Sequence, residues 1–212
     1  MILITQPNFD ITTQWISCWS TEISKLATDR KIKVVVLDGI RANRKEFESV
    51  IKKISPKLVF FNGHGSDKTV FGHKNEPLVI MGDNEDQLAG KIVYSLACLS
   101  AKTLGPECIN KGTRAYIGYI EDFIFFHDIT KISNPLSDQI AGMFLEPSNC
   151  IMKSLIKGHT TQMSWEHSQQ CFKRKITELV MKGDRVSINT YLPHLFWDMQ
   201  NQVSLGDPNA SL

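Results

Sequence analysis

The sequence is poor in the signatures that assign many chains at a glance. Its five cysteines (Cys18, Cys98, Cys108, Cys150 and Cys171) are odd in number, irregularly spaced and without a CxxC pair. A disulfide framework and a structural zinc ribbon are therefore not expected, and the thiols are read as free. No window approaches the ~18 uncharged apolar residues of a membrane-spanning helix. The start, MILITQPNFD, lacks the basic and apolar segments of a secretory leader. Charge of one sign is also missing: 24 Lys and Arg face 22 Asp and Glu, a net +2. Without a clustered basic excess, neither a nucleic-acid nor a membrane surface is indicated. No GxxxxGK[ST] or GxGxxG loop is present to cradle a nucleotide, and no GxSxG elbow to mark an α/β hydrolase. Internal repeats, low-complexity stretches and linkers are absent. What remains is an ordinary globular composition, 42% hydrophobic and 22% charged over 212 residues, read as one cytoplasmic α/β domain.

The first hundred residues alternate strand and helix. Ile2 to Thr5 is a short apolar run halted by Gln6-Pro7, and Asp10 can cap a helix with Ile11, Trp15, Cys18, Trp19, Ile23 and Leu26 on one face. Lys33 to Leu37 reads as a second strand. Asn43 opens a helix burying Phe47, Val50, Ile51 and Ile54, and Leu58 to Phe61 follows Pro56 as a third strand. A hairpin is expected from Thr69–Phe71 and Pro77–Ile80, then core strands at Ile92–Ala97 and Ala115–Tyr119, with a helix around Thr103–Lys111 between them. Continuous apolar strands separated by amphipathic helices predict a parallel sheet covered on both faces. Helices are expected over about 134–183, punctuated by Pro147 and Gly158 and stopped by Gly183, followed by a C-terminal strand and tail over about 192–212.

In such sheets, function gathers at the carboxyl ends of the strands. Asn62-Gly63-His64-Gly65-Ser66 follows the third strand, and Ala97-Cys98-Leu99-Ser100 ends the next core strand. If both strands run the same way, His64 and Cys98 share an edge. A thiolate is the attacking species in cysteine chemistry, and a neighbouring imidazole can serve as base and then protonate a departing amine. Flanking glycines let a substrate backbone pass close to the histidine. The amides of Gly65 and Cys98 are natural oxyanion donors. Each residue alone has a bland alternative: a small buried hydrophobe for Cys98, a turn residue for His64.

The ordered set LVFFNGHGSDKTVFG, IVYSLACLS and GTRAYIGY, with the terminal QVSLGDPNASL, resembles the caspase-like cysteine peptidases, in particular the gingipain-type and CHAT-like branch. The resemblance spans about residues 57 to 125 and the last ten or so. It implies a caspase-like three-layer sandwich over 1–212, its mostly parallel central sheet flanked by helices. It also implies an endopeptidase with His64 and Cys98 as a catalytic dyad, lacking a third orienting residue, and with Gly65 and Cys98 as the oxyanion hole. The sequence departs from relatives in having no glycine within two residues after Cys98, and in the apolar Leu96 two before it.

The resemblance implies that the pocket for the residue before the cut is built by the loop after the fifth strand, with Glu121, Asp122 and Phe125 as candidates, and Asp10 at the same edge as a further candidate. Carboxylates there suit Lys or Arg. No cofactor or metal is expected: His167 and Cys171 share a helix face with His159 nearby, but no second ligand pair accompanies them. Lys173-Arg174-Lys175 reads as a solvated helix face. The expected partners are a protein or peptide substrate and an activating protein, with regulation of an otherwise bare catalytic domain expected from a partner, a cleavage or assembly. The oligomeric state is left open. The alternative is a non-catalytic or activator-dependent caspase-like interaction module.

Overall fold

The computed structural model describes residues 1–182 and 184–212. Gly183, the expected helix stop, lies outside the described residues. Six strands form one sheet in the order β2 (Val34–Asp38), β1 (Ile2–Gln6), β3 (Leu58–Asn62), β6 (Ile92–Leu96), β7 (Ala115–Tyr119) and β8 (Gln202–Gly206). The first five are parallel, and β8 closes the edge antiparallel to β7. β4 (Thr69–Phe71) and β5 (Pro77–Ile80) form the expected separate hairpin. No described helix is long and apolar enough to cross a membrane.

Alternation along the strands divides the interior into two cores, giving three layers. Ile2, Ile4, Phe60, Tyr94 and Ile117 point to the side covered by α1 (Ile11–Asp29), α4 (Gln139–Ile156) and α5 (Thr161–Met181). Leu3, Val59, Phe61, Val93 and Tyr116 point to the side covered by α2 (Arg44–Ile54), α3 (Leu104–Asn110) and the hairpin. Both faces of the strands are thus buried, which is why they read as unbroken apolar runs. Trp15 and Trp19 are core residues whose indole N–H groups donate to Asp138 and to the Pro135 carbonyl, at 2.8 and 3.0 Å.

The C-terminal third departs from expectation. α4 runs through Pro147 without stopping there. α6 (Arg185–Asn201) occupies much of the segment expected to hold strand and tail, so the terminal strand starts only at Gln202. Leu195 and Asp198 face inward while Phe196 and Trp197 stay exposed, the pattern of a helix rather than a strand. The GDP segment has a structural use here. Gly206 adopts φ +86°, and a Cβ there would lie 2.5 Å from the Arg114 carbonyl. The following residues satisfy the start of α5, with Thr161 N–H donating to Ala210 (2.9 Å) and Gln162 N–H to Pro208 (3.1 Å).

The free-thiol reading also fails at one pair. Cys150 and Cys171 form a disulfide between α4 and α5, leaving Cys18, Cys98 and Cys108 free. The two helices pack side by side after a short turn, a tertiary adjacency that cysteine spacing does not encode.

Candidate active site

β3 and β6 are adjacent and parallel, with Phe61 opposite Ser95 and Asn62 opposite Leu96. The chains leaving their carboxyl ends therefore emerge together. Gly63 N–H donates to the Leu96 carbonyl at 3.3 Å, carrying the pairing one residue further. The turn then folds against the loop after β6. A Cβ on Gly65 would meet the Cys98 carbonyl at 2.4 Å and the Cys98 nitrogen at 3.1 Å. A Cβ on Gly63, at φ +141°, would lie 2.8 Å from the Phe71 carbonyl. The glycines flanking His64 are there because two backbones touch. Among the described residues, neither the Gly65 nor the Cys98 N–H donates to another protein group.

His64 Nε2 lies 2.7 Å from Asp10 Oδ2, with both side chains about one-third exposed. Asp10 is also the N-cap of α1, accepting from the Thr13 N–H and Thr13 hydroxyl at 2.7 and 2.8 Å. Burial pushes its carboxyl up, but the Thr13 amide, His64 and the Thr13 hydroxyl together outweigh this and hold it below its ordinary value. An ionised Asp10 accepts the Nε2 proton, which leaves Nδ1 of a neutral His64 as the open basic nitrogen. A third residue is therefore bonded to the histidine, in place of the expected dyad alone. Asp10 Oδ2, expected as a further pocket candidate, is engaged by the imidazole.

Cys98 sits in different surroundings. Its thiol is partly buried, donates to the Phe123 carbonyl at 3.8 Å, and makes no hydrogen bond to His64 among the described residues. Burial is the main cause that pushes it up to about 11. A backbone hydrogen bond at Phe123 opposes this, while Asp122 and Asp198 add to it. The next residue, Leu99, has φ +60°, a left-handed conformation costly for a branched side chain. It turns the chain sharply after the cysteine and lets Leu99 N–H reach the Glu121 carbonyl at 3.1 Å.

The loop after β7 forms the floor beside the thiol. Glu121 is paired with Lys102 at 2.9 Å, Asp122 is exposed, and Phe125 is half-buried and stacks on Phe123. The last turns of α6 clasp this loop. Trp197 Nε1–H donates to the Asp122 carbonyl (2.8 Å), Ile124 N–H to Asp198 Oδ1 (2.9 Å), and Ile120 N–H to the Asn201 carbonyl (3.0 Å). Asp198 is wholly buried, and its Oδ2 has no partner among the described residues. Burial pushes its carboxyl well above its ordinary value, against the opposing Ile124 hydrogen bond. Sequence reasoning misses Asp198. Its signal is an acidic residue three places after Leu195, in the inward register of α6.

No group of three or more metal-ligating side chains stands together among the described residues. No protein-family model matches the chain, and no curated protein matches it by sequence. Solved structures do. The chain superimposes over its whole length on 47% of the Arg-specific cysteine proteinase gingipain R, with a TM-score of 0.63 at 14% identity. It likewise superimposes on 48% of a chain in the complex of the Porphyromonas gingivalis RgpB pro- and mature domains, at 0.61 and 12%. The chain thus spans just under half the length of these neighbours. Layers, strand order and this likeness together give the chain a caspase-like fold.

Proposed function

We propose that the chain is a cysteine endopeptidase in which Cys98 is the nucleophile and His64 the acid and base. The observation that carries this reading is the contact of the Gly65 backbone with that of Cys98, which sets an imidazole, a thiol and two unused amides at one sheet edge. Cys98 Sγ attacks the peptide carbonyl carbon and forms the C–S bond as its proton passes to His64 Nδ1. The Gly65 and Cys98 amides receive the oxyanion, a contribution on the order of 3 kcal/mol per donor in related chemistry. His64 Nδ1 protonates the departing amine, and water then hydrolyses the acyl-enzyme and restores the thiol. Asp10 fixes the imidazole's tautomer and orientation and steadies the imidazolium, so we assign it there rather than to substrate.

For the residue before the cut, Asp122 and Phe125 are the favoured pocket groups, because Glu121 is already neutralised by Lys102. A carboxylate beside an aromatic wall suits Lys or Arg, and gingipain R is itself Arg-specific. The high thiol pKa and the clasped 120–124 loop support a protonated resting site that bound substrate assembles, with a partner or processing raising its activity rather than enabling it. Cleavage of a pooled peptide library by the wild-type chain and by Cys98→Ala, read by mass spectrometry, tests these proposals. Cuts made only by the wild type, after Lys or Arg, are expected. A preference for Asp or an apolar residue removes the pocket assignment, and no cuts at all remove the constitutive peptidase.

A further inference from the structure

The α4–α5 pair carries chemistry of its own, independent of the peptidase reading. Its disulfide joins Cys150 and Cys171, which are 21 residues apart in sequence with Cα atoms 7.0 Å apart. Both cysteines are only partly buried, and they line a cleft of about 330 Å³ with Lys153, Lys157, Arg174, His159, His167 and Ser154. No Asp or Glu lines it, in a chain whose acids and bases are otherwise nearly balanced. Glu22 and Glu178 reach Lys153 and Arg174 from outside the lining, at 3.1 and 3.9 Å. Lys157 is exposed and has no ion pair among the described residues. Arg174 Nη2 lies 3.8 Å from Cys171 Sγ. Ser154 Oγ is 2.8 Å from His167 Nδ1, and the His159 ring meets that imidazole edge-on at 5.0 Å.

We propose that this cleft is a thiol–disulfide exchange site for a small anionic thiol, such as a short thiol peptide bearing carboxylates. Its cations draw in the carboxylates and raise the local concentration of the attacking thiolate. Arg174 stands where the leaving sulfur gathers charge, which directs attack to Cys150. The incoming thiolate forms a bond to Cys150 Sγ as the Cys150–Cys171 bond breaks, and the electron pair leaves on Cys171. A second thiolate attacks the small thiol's sulfur in the mixed disulfide and releases Cys150. Two small thiols are oxidised to their disulfide, the protein bridge is reduced, and the two thiol protons end on Cys150 and Cys171. His159 and His167 supply nearby proton carriers. The cross-link between α4 and α5 thereby follows the redox state of an anionic thiol pool.

The test uses the wild-type chain isolated without reductant. Alkylation of the denatured protein is expected to modify three thiols, Cys18, Cys98 and Cys108, and to leave a Cys150–Cys171 bridged peptide. Rates of bridge reduction by glutathione, 2-mercaptoethanol and cysteamine, each corrected for its thiolate fraction, then read the charge preference. Glutathione should exceed cysteamine by about tenfold. That ratio should fall toward one in about 0.5 M salt and in Lys157→Gln and Arg174→Gln. Five alkylated thiols, rates indifferent to thiol charge, or one zinc released per chain on denaturation would each overturn the proposal. The three-thiol comparison needs no variant, so its outcome does not depend on a substituted chain folding.

Discussion

The two strand ends that meet at the candidate site are built on opposite principles. The end of β3 presents an imidazole that is polar, partly exposed and bonded to a carboxylate held below its ordinary value. The end of β6 presents a thiol that burial pushes up to about 11 and that has no bond to the imidazole among the described residues. One side holds its ring against a carboxylate, and the other keeps its thiol in surroundings that disfavour the charged form. Burial at the second strand end therefore favours the neutral thiol over the thiolate. Backbone contact brings the parts of the site to one sheet edge, and under the proposed reading the proton would move when a substrate carbonyl arrives.

The largest effects should come from removing either half. Cys98→Ala and His64→Ala are each expected to lower peptide cleavage by on the order of 10⁴-fold, with folding retained by circular dichroism. Cleavage that survives in His64→Ala would break the comparison, leaving the thiol to act alone. Next is the contact between the halves. Gly65→Ala drives a Cβ to 2.4 Å from the Cys98 carbonyl, so kcat/KM should fall by on the order of 10²-fold as the oxyanion donors separate. Iodoacetamide should still reach Cys98 in that variant, which distinguishes misplaced donors from a lost nucleophile.

Asp10 sharpens the first half. Asp10→Asn keeps an N-cap acceptor but loses the charge facing His64, and a drop in kcat of about 10- to 10²-fold is expected with little change in KM. Asp10→Ala should in addition cost about 1 kcal/mol of stability through the lost cap. Because the folded carboxyl is held below its unfolded value, its contribution to stability is present above about pH 4 and lost as pH falls through the lowered value. The stability difference between wild type and Asp10→Asn, read from thermal melts, should shrink in the same direction.

Asp198 tests the second half with the smallest effect. Its folded carboxyl is held well above the unfolded value, so below about pH 4 both states are protonated and no penalty arises. Above that pH the unfolded chain ionises first and stability falls. Asp198→Asn keeps an acceptor for the Ile124 N–H and removes the ionisation. Its melting temperature should exceed wild type at neutral pH by roughly 2–4 °C for each kcal/mol regained, and the gain should vanish in acid. A melting temperature lowered at every pH would mean that the carboxyl is needed for packing rather than merely tolerated.

The legible and illegible parts of the sequence differ for physical reasons. β1, β3, β6 and β7 are readable because burial on both faces writes unbroken apolar runs, and the His64 and Cys98 turns because they follow those runs directly. Asp10 is readable as a cap, but its bond to His64 spans 54 residues and depends on β1 lying beside β3. The Cys150–Cys171 bridge and the clasp of α6 on the 120–124 loop are likewise products of helix packing, without local periodicity to announce them. α6 itself is hidden by its aromatics and by Pro193, which together resemble a strand and a break.

The measurement closest to the central claim compares two electrophiles on Cys98 by intact mass. The first is iodoacetamide, which needs only a thiolate. The second is a peptidyl acyloxymethyl ketone with Arg before the leaving group, which engages the oxyanion donors and His64 as well. With the thiol protonated at rest, iodoacetamide labelling should be slow at neutral pH and rise toward about pH 11, whereas the peptidyl reagent should label promptly at pH 7 and lose that advantage in His64→Ala. Fast iodoacetamide labelling with a plateau below pH 7, or equal peptidyl labelling with and without His64, would contradict a substrate-assembled site.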